Sequence, residues 1–150
     1  MNFQEFLESK KACQDAQEWA KDKTIEQAID QCHRGDWLLW LAQSLKVDRR
    51  LLVGAAGHCG NTVRHLMDER IRNCVDVYIA YGNGEATEKE LALAEDLDWA
   101  EDAARAASWS ADVAQAAADE GSQNQKQTAD ICREHLKKAI IENWNQNQTR

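Results

Sequence analysis

Residues 88–120 read EKELALAEDLDWAEDAARAASWSADVAQAAADE, and this stretch decides the expected fold class. Leucine and alanine recur in it at alternating steps of four and three residues, which predicts the apolar seam of a helix packed along its length. No Gly or Pro interrupts the stretch, so at about 1.5 Å per residue the helix would run roughly 50 Å. The seam residues are Leu93, Leu97, Ala100, Ala104, Ala107, Ala111, Ala114 and Ala118.

The composition predicts a single all-helical domain. A chain of 150 residues can bury about two thirds of its unfolded surface. The absence of proline and the low count of seven glycines argue against a sandwich or barrel. We therefore expect a bundle of five to seven helices over residues 1–145, built around the long alanine-rich helix and followed by a frayed tail at 146–150.

Capping patterns place the other helices. We expect a first helix over residues 2–20, a short second helix that Thr24 caps, and a third that Asp36 caps. Asp48 begins a fourth helix over 49–67, and a fifth follows over 69–81. A capping box of Thr24 with Gln27, and another of Thr87 with Glu90, mark two helix starts.

The end of the chain predicts an antiparallel helix pair. Gly121 should end the long helix, residues 122–127 should form a polar loop, and the last helix should cover 128–144. Its expected inward stripe is Ala129, Cys132, Leu136, Ala139 or Ile140, and Trp144.

Three glycines stand out within the fourth helix. Gly54, Gly57 and Gly60 lie three residues apart, and each costs up to about 1 kcal/mol relative to alanine in a helix. A ridge of this kind indicates close contact with another helix or with a ligand.

The charge and the absence of apolar runs limit the function classes. A net charge of −8 and a pI near 5.0 disfavour binding to nucleic acid or to an anionic membrane. The N-terminus lacks the apolar core of a signal peptide, and no run of about 18 apolar residues occurs. The five scattered cysteines fit reduced thiols in a cytosol. We expect a soluble cytoplasmic protein.

The sequence offers little catalytic chemistry. Cysteine and histidine are neighbours at residues 32–33, 58–59 and 132–135, yet their spacing matches no zinc pattern. No nucleophile elbow and no phosphate-binding loop occur. We expect no enzyme, no metal and no cofactor.

The outer face of the long helix is the first candidate binding site. Trp109 lies there in line with Asp98, Asp102, Arg105 and Asp112. An indole in an acidic stripe is either covered by another part of the fold or offered to a partner protein, where tryptophan is an enriched anchor. Both readings stay open.

A group of arginines is the second candidate. Arg49 and Arg50 begin the fourth helix, Arg64 lies near its end, and Arg70 begins the fifth. Together they predict a site for a small anion such as a nucleotide. The alternative is that these arginines solvate helix ends and pair with acidic residues.

Several short motifs carry a family resemblance. They are DRR at 48–50, DER at 68–70, GEAT at 84–87 and GDWLLWL at 35–41, together with the alanine-rich helix. The chain resembles helical immunity proteins, also found in phages and other mobile elements. It departs from them by lacking a proline between the fourth and fifth helices and by carrying glycines where alanines are common.

This resemblance implies a non-catalytic inhibitor that binds another protein, either a toxin or a host defence factor. The alternative function is the binding or sequestering of a small anionic ligand such as a nucleotide signal. A structural or assembly role, including homo-oligomer formation, also stays open.

Overall fold

The computed structural model describes residues 1–62, 64–66, 69–95 and 121–148. Within these ranges all regular structure is helical, which confirms the all-helical class. The helices are α1 (Phe3–Ser9), α2 (Gln14–Ala20), α3 (Ile25–Gln31), α4 (Gly35–Ser44), α5 (Arg49–Asn61), a short 3-10 helix (Arg64–Leu66), α6 (Glu69–Gly82), α7 (Glu88–Glu95) and α8 (Gly121–Gln148).

Most of the predicted helix starts are confirmed. The Thr24 hydroxyl accepts a hydrogen bond from the Gln27 amide at 3.1 Å, and the Gln27 side chain accepts one from the Thr24 amide at 2.9 Å. Thr87 and Glu90 make the same reciprocal pair, and Asp48 caps α5. These caps are correct because each depends only on residues three or fewer positions apart.

Asp36 is not an N-cap. The α4 helix begins one residue earlier, at Gly35, and Arg34 is its N-cap residue without a side-chain capping bond. Asp36 lies in the first turn, where it hydrogen-bonds the Arg34 guanidinium.

The first predicted helix is two helices. The Ala12 amide donates to the Leu7 carbonyl at 3.0 Å and the Lys11 amide to the Glu8 carbonyl at 3.1 Å, which is the Schellman arrangement that ends helices. Lys11 has a φ of 59°, a conformation that glycine usually supplies. Because a lysine takes it here, the prediction of one continuous helix over 2–20 was wrong.

Two further helix ends differ from the prediction. The α5 helix ends at Asn61 rather than near residue 67. The α8 helix begins at Gly121, so the predicted polar loop at 122–127 is helical, and it continues to Gln148 through most of the expected tail. Glutamine and lysine are good helix formers, and neither segment contains a proline that would stop the helix.

Helices α5 and α6 form a close antiparallel pair, which agrees with the first of the two alternatives for the glycines, contact with another helix. A Cβ added at Gly54 would lie 2.9 Å from the Gly82 Cα atom, and one added at Gly57 would lie 2.8 Å from the Tyr78 Cβ atom. Glycines at these two positions therefore let the backbones of α5 and α6 approach.

The α8 helix packs against α3, α4 and α5. Its inward stripe is confirmed, since Ala129, Cys132, Leu136, Ile140 and Trp144 are all buried. The five cysteines are all free thiols.

The predicted seam is wrong at its first residue. Leu93 is 70% exposed, whereas Leu91, two positions earlier, is 1% exposed. The inward face of α7 is set by its contact with α6, where the Cys74 thiol donates to the Ala94 carbonyl at 2.8 Å. The other seam residues, from Leu97 to Ala118, and hence the expected antiparallel pair, lie outside the described residues.

Two histidines stack where α5 meets α8, and they predict a pH dependence. The rings of His58 and His135 lie 4.6 Å apart at an interplanar angle of 12°. Burial lowers the pKa of His58 below its usual 6.5, the neighbouring His135 lowers it further, and Glu134 partly opposes this. The unfolded chain therefore takes up a proton at higher pH than the folded chain does.

We expect the free energy of unfolding to be larger above pH 7 and to fall as the pH drops through about 6.5. Urea denaturation at pH 7.5 and 5.5, above the range where most carboxylates titrate, measures this loss. His58→Gln should lose less stability than the wild type over the same interval. An equal loss in both proteins would contradict a role for this pair.

Candidate functional site: a tryptophan pocket

A pocket of about 550 Å³ opens between the α1–α2 pair and the α3–α4 pair. Three partly buried tryptophans, Trp19, Trp37 and Trp40, line it. Aliphatic side chains, such as those of Leu7 and Leu38, complete much of its wall. We call this site the tryptophan pocket.

The sequence of α4 explains why two of the tryptophans are partly exposed. The helix is apolar on nearly every side, and it buries its leucines in the core. Trp37 and Trp40 are three residues apart and so share another face, where each remains half-buried. The tryptophan face of α4 therefore opens to the pocket, while its leucine face lies in the core.

Helix α8 supports the wall of the pocket that α1 forms. The Trp144 ring makes edge-to-face contacts with Phe3 at 5.8 Å and with Phe6 at 5.4 Å between centroids. Phe3 lines the pocket from α1. The C-terminal part of the chain therefore positions the N-terminal wall of the site.

Helix α8 also holds the end of α3. The Arg133 guanidinium donates to the Ile29 carbonyl at 2.9 Å and to the Cys32 carbonyl at 2.6 Å. Lys137 pairs with Asp30 at 2.6 Å. Cations at a helix C-terminus satisfy its free carbonyls. Here Arg133 and Lys137 fix the end of α3, which leads into the pocket.

Two of the three tryptophan rings, those of Trp19 and Trp37, are held by contacts with their neighbours. Trp19 and Trp37 lie 5.8 Å apart at 54°, and His33 contacts both rings, at 6.2 and 6.1 Å between centroids. The Lys23 ammonium lies 4.7 Å from the Trp19 ring centroid and donates to the Trp19 carbonyl. These contacts restrict the rings to defined orientations.

An ion pair forms part of the lining. The Arg34 guanidinium lies 4.6 Å from the Trp37 ring centroid and donates two hydrogen bonds to Asp36, at 3.1 and 2.7 Å. Its hydrogen bond to Asp36 raises the pKa of Arg34. The two side chains form an ion pair in which each charge neutralises the other.

The buried thiol of the lining is not a nucleophile at neutral pH. Burial raises the pKa of Cys32, and the thiol donates a hydrogen bond to the Arg34 carbonyl at 3.3 Å. Because the thiolate is the reactive form, Cys32 contributes packing to the wall.

Arg49 and Arg50 of the predicted anion site are engaged in joining helices. Arg50 donates to the carbonyls of Tyr81 and Ala86, at 2.6 and 3.2 Å, and stacks on the Tyr81 ring. Arg49 lies 3.7 Å from the Glu88 carboxylate. These contacts tie the start of α5 to the α6–α7 turn.

The other two predicted arginines lie at the far end of the α5–α6 pair. Arg64 donates two hydrogen bonds to Asp76, at 2.6 and 3.0 Å, and this guanidinium lowers the pKa of Asp76. Arg70 belongs to the first turn of α6, and its side chain is outside the described part of the molecule. Arg50 and Arg64 are separated by the length of α5, about 20 Å, so they do not converge on one small anion.

The predicted acidic face falls outside the described ranges. Asp98, Asp102, Arg105, Trp109 and Asp112 all lie between residues 96 and 120, so the structure does not test this site. That face stays a prediction.

The described ranges contain no group of three or more His, Cys, Asp or Glu side chains that could hold a metal ion. Within the same ranges, no helix combines the length and the apolar character needed to cross a membrane.

Fold and site together define an all-helical protein with a preorganised aromatic pocket. Comparison of the chain with protein families, curated proteins and solved structures finds no match. The resemblance to immunity proteins therefore stays a prediction.

The pocket was not predicted, because the sequence pattern indicates the buried face of each helix but not which helices lie together. The sequence does contain a signal, because Trp37 and Trp40 are three residues apart and so share one face of a helix. Only the tertiary structure brings Trp19 next to Trp37.

Proposed function

We propose that this protein is a non-catalytic binding protein that neutralises another protein, a toxin or a host defence factor. Apolar side chains of the partner enter the tryptophan pocket. The observation that carries this proposal is the presence of three partly exposed tryptophans around one half-open, mainly apolar cavity of about 550 Å³.

The size and walls of the pocket suit binding. Pockets of roughly 300 to 1,000 Å³ with apolar and aromatic walls are the usual sites for small molecules and cofactors, and walls of this kind also suit the apolar side chains of a partner. Tryptophan is enriched among the residues that contribute most to protein interfaces, since it combines a large apolar ring with a polar N–H group.

The pocket is also prepared for binding before a partner arrives. The Lys23 ammonium lies over the Trp19 ring, and the Arg34 guanidinium, which is paired with Asp36, lies over the Trp37 ring. Rings that are already oriented lose little conformational freedom on binding, so more of the contact energy contributes to affinity.

Trp37→Ala should weaken partner binding by about 2 kcal/mol or more, which is roughly 30-fold in Kd. The test begins with capture of the partner on the immobilised wild-type protein and its identification by mass spectrometry. Calorimetry with the purified partner then compares wild type, Trp37→Ala and Trp109→Ala. The partner's own activity, measured with and without this protein, tests neutralisation.

Circular dichroism and thermal melting of each variant separate a lost contact from a lost fold. Loss of binding in Trp37→Ala alone supports the pocket as the binding site. Wild-type affinity in Trp37→Ala, with loss in Trp109→Ala, would assign binding to the predicted acidic face instead. A partner whose activity is unchanged in the complex would contradict neutralisation.

A further inference from the structure

We infer that the guest of the tryptophan pocket is a basic amphipathic segment of a partner protein. Its apolar side chains lie among the tryptophans, and a Lys or Arg lies beside Asp15. This inference rests on the proposed function and specifies the chemistry of the partner at the same site.

The charge of the lining favours a cation. The lining contains three residues of charged type, namely Asp15, Arg34 and Asp36. Arg34 and Asp36 neutralise each other in a two-point hydrogen-bonded pair. Asp15 is exposed and makes no side-chain hydrogen bond or ion pair within the described residues, so it leaves the lining with a net negative charge.

Asp15 is also close along the chain to an apolar part of the lining. It lies in the first turn of α2. Trp19 follows four residues later in the same helix, which is slightly more than one turn. A cation that reaches Asp15 can therefore belong to the same guest segment as an apolar group at Trp19.

The tryptophan faces themselves accept cations in this protein. Lys23 and Arg34 lie 4.7 and 4.6 Å from the ring centroids of Trp19 and Trp37. An indole ring attracts a cation through its electron-rich face. Because Lys23 and Arg34 already occupy these two rings, a cation of the guest finds its negative partner at Asp15.

The overall charge acts in the same direction. The chain carries a net charge of −8, and a protein of this charge attracts a basic partner and repels an acidic one during encounter. A half-open pocket built between helices suits an amphipathic segment that presents apolar side chains at helical spacing.

The test uses fluorescein-labelled 12-residue peptides with leucines at helical spacing and with Lys, Gln or Glu at the intervening positions. Fluorescence anisotropy with the full chain at 150 mM NaCl gives each Kd. We expect the Lys peptide to bind about three- to tenfold more tightly than the Glu peptide, the range expected when one exposed charge pair is favourable in one case and repulsive in the other.

Two charge variants localise this preference. Asp15→Asn should abolish most of the preference for Lys over Glu, while Glu26→Gln, which removes the same charge from an exposed position of α3 outside the lining, should retain it. Trp37→Ala should weaken every peptide that binds. Thermal melting confirms that each variant is folded.

Equal affinity for the Lys and Glu peptides, with loss of both in Trp37→Ala, would overturn the basic character of the guest and leave the proposed function standing. A preference that survives Asp15→Asn would also overturn the inference. Absence of binding by every peptide up to about 1 mM would overturn it too, and the proposed function is then decided by the captured partner and Trp37→Ala.

Discussion

Replacing Trp144 with alanine is expected to lower the free energy of unfolding by about 3 to 5 kcal/mol. The indole is 9% exposed and packs edge-to-face against Phe3 and Phe6. Alanine removes both ring contacts and leaves a cavity between α1 and α8. Since small domains are stable by only about 5 to 15 kcal/mol, urea denaturation should show a large fall in the midpoint.

Trp144→Phe is the matched control for this change. It retains an aromatic ring and should lose much less stability than the alanine variant. Because Phe3 also lines the tryptophan pocket, Trp144→Ala should weaken partner binding as well, although Trp144 is not among the pocket-lining residues. An unfolding midpoint equal to that of the wild type would show that α1 does not depend on this contact.

Gly54→Leu is expected to cost about 3 kcal/mol or more, at the upper end of the range for overpacked sites. Even a Cβ atom at this position would come within 2.9 Å of the Gly82 Cα atom. That neighbour is backbone, so it cannot move aside as a flexible side chain could. The leucine would have to separate α5 from α6 and disturb the nearby Arg50 contacts with Tyr81.

Asn73→Leu provides the control for the added leucine. Asn73 is an exposed position of α6, so leucine there should change the free energy of unfolding by less than about 0.5 kcal/mol. Differential scanning calorimetry of both variants compares the two sites directly. Similar melting temperatures for Gly54→Leu and wild type would show that the two helices can separate freely.

Features that depend on nearby residues were predictable from the sequence. The caps at Thr24, Asp48 and Thr87 each join a side chain to an amide two or three residues away. The inward stripe of α8 follows from its helical period, and the absence of side-chain volume at Gly54 and Gly57 indicated a close helix contact. In each case the information lies within one helix.

Features that depend on the neighbouring helix were not predictable in this way. Leu91 rather than Leu93 is buried because α6 lies on that side of α7, and the period of the sequence allowed either face. The break at Lys11 lacked the usual glycine, since a lysine accepts the left-handed conformation there.

The candidate site shows the same division most clearly. Trp37 and Trp40 share a face through their spacing along α4, but their spacing does not specify what covers that face. Trp19 comes from another helix, and α8 holds both walls through Trp144 and Arg133. The pocket exists because residues more than a hundred positions away along the chain are packed together, and such long-range packing is decided by the tertiary structure alone.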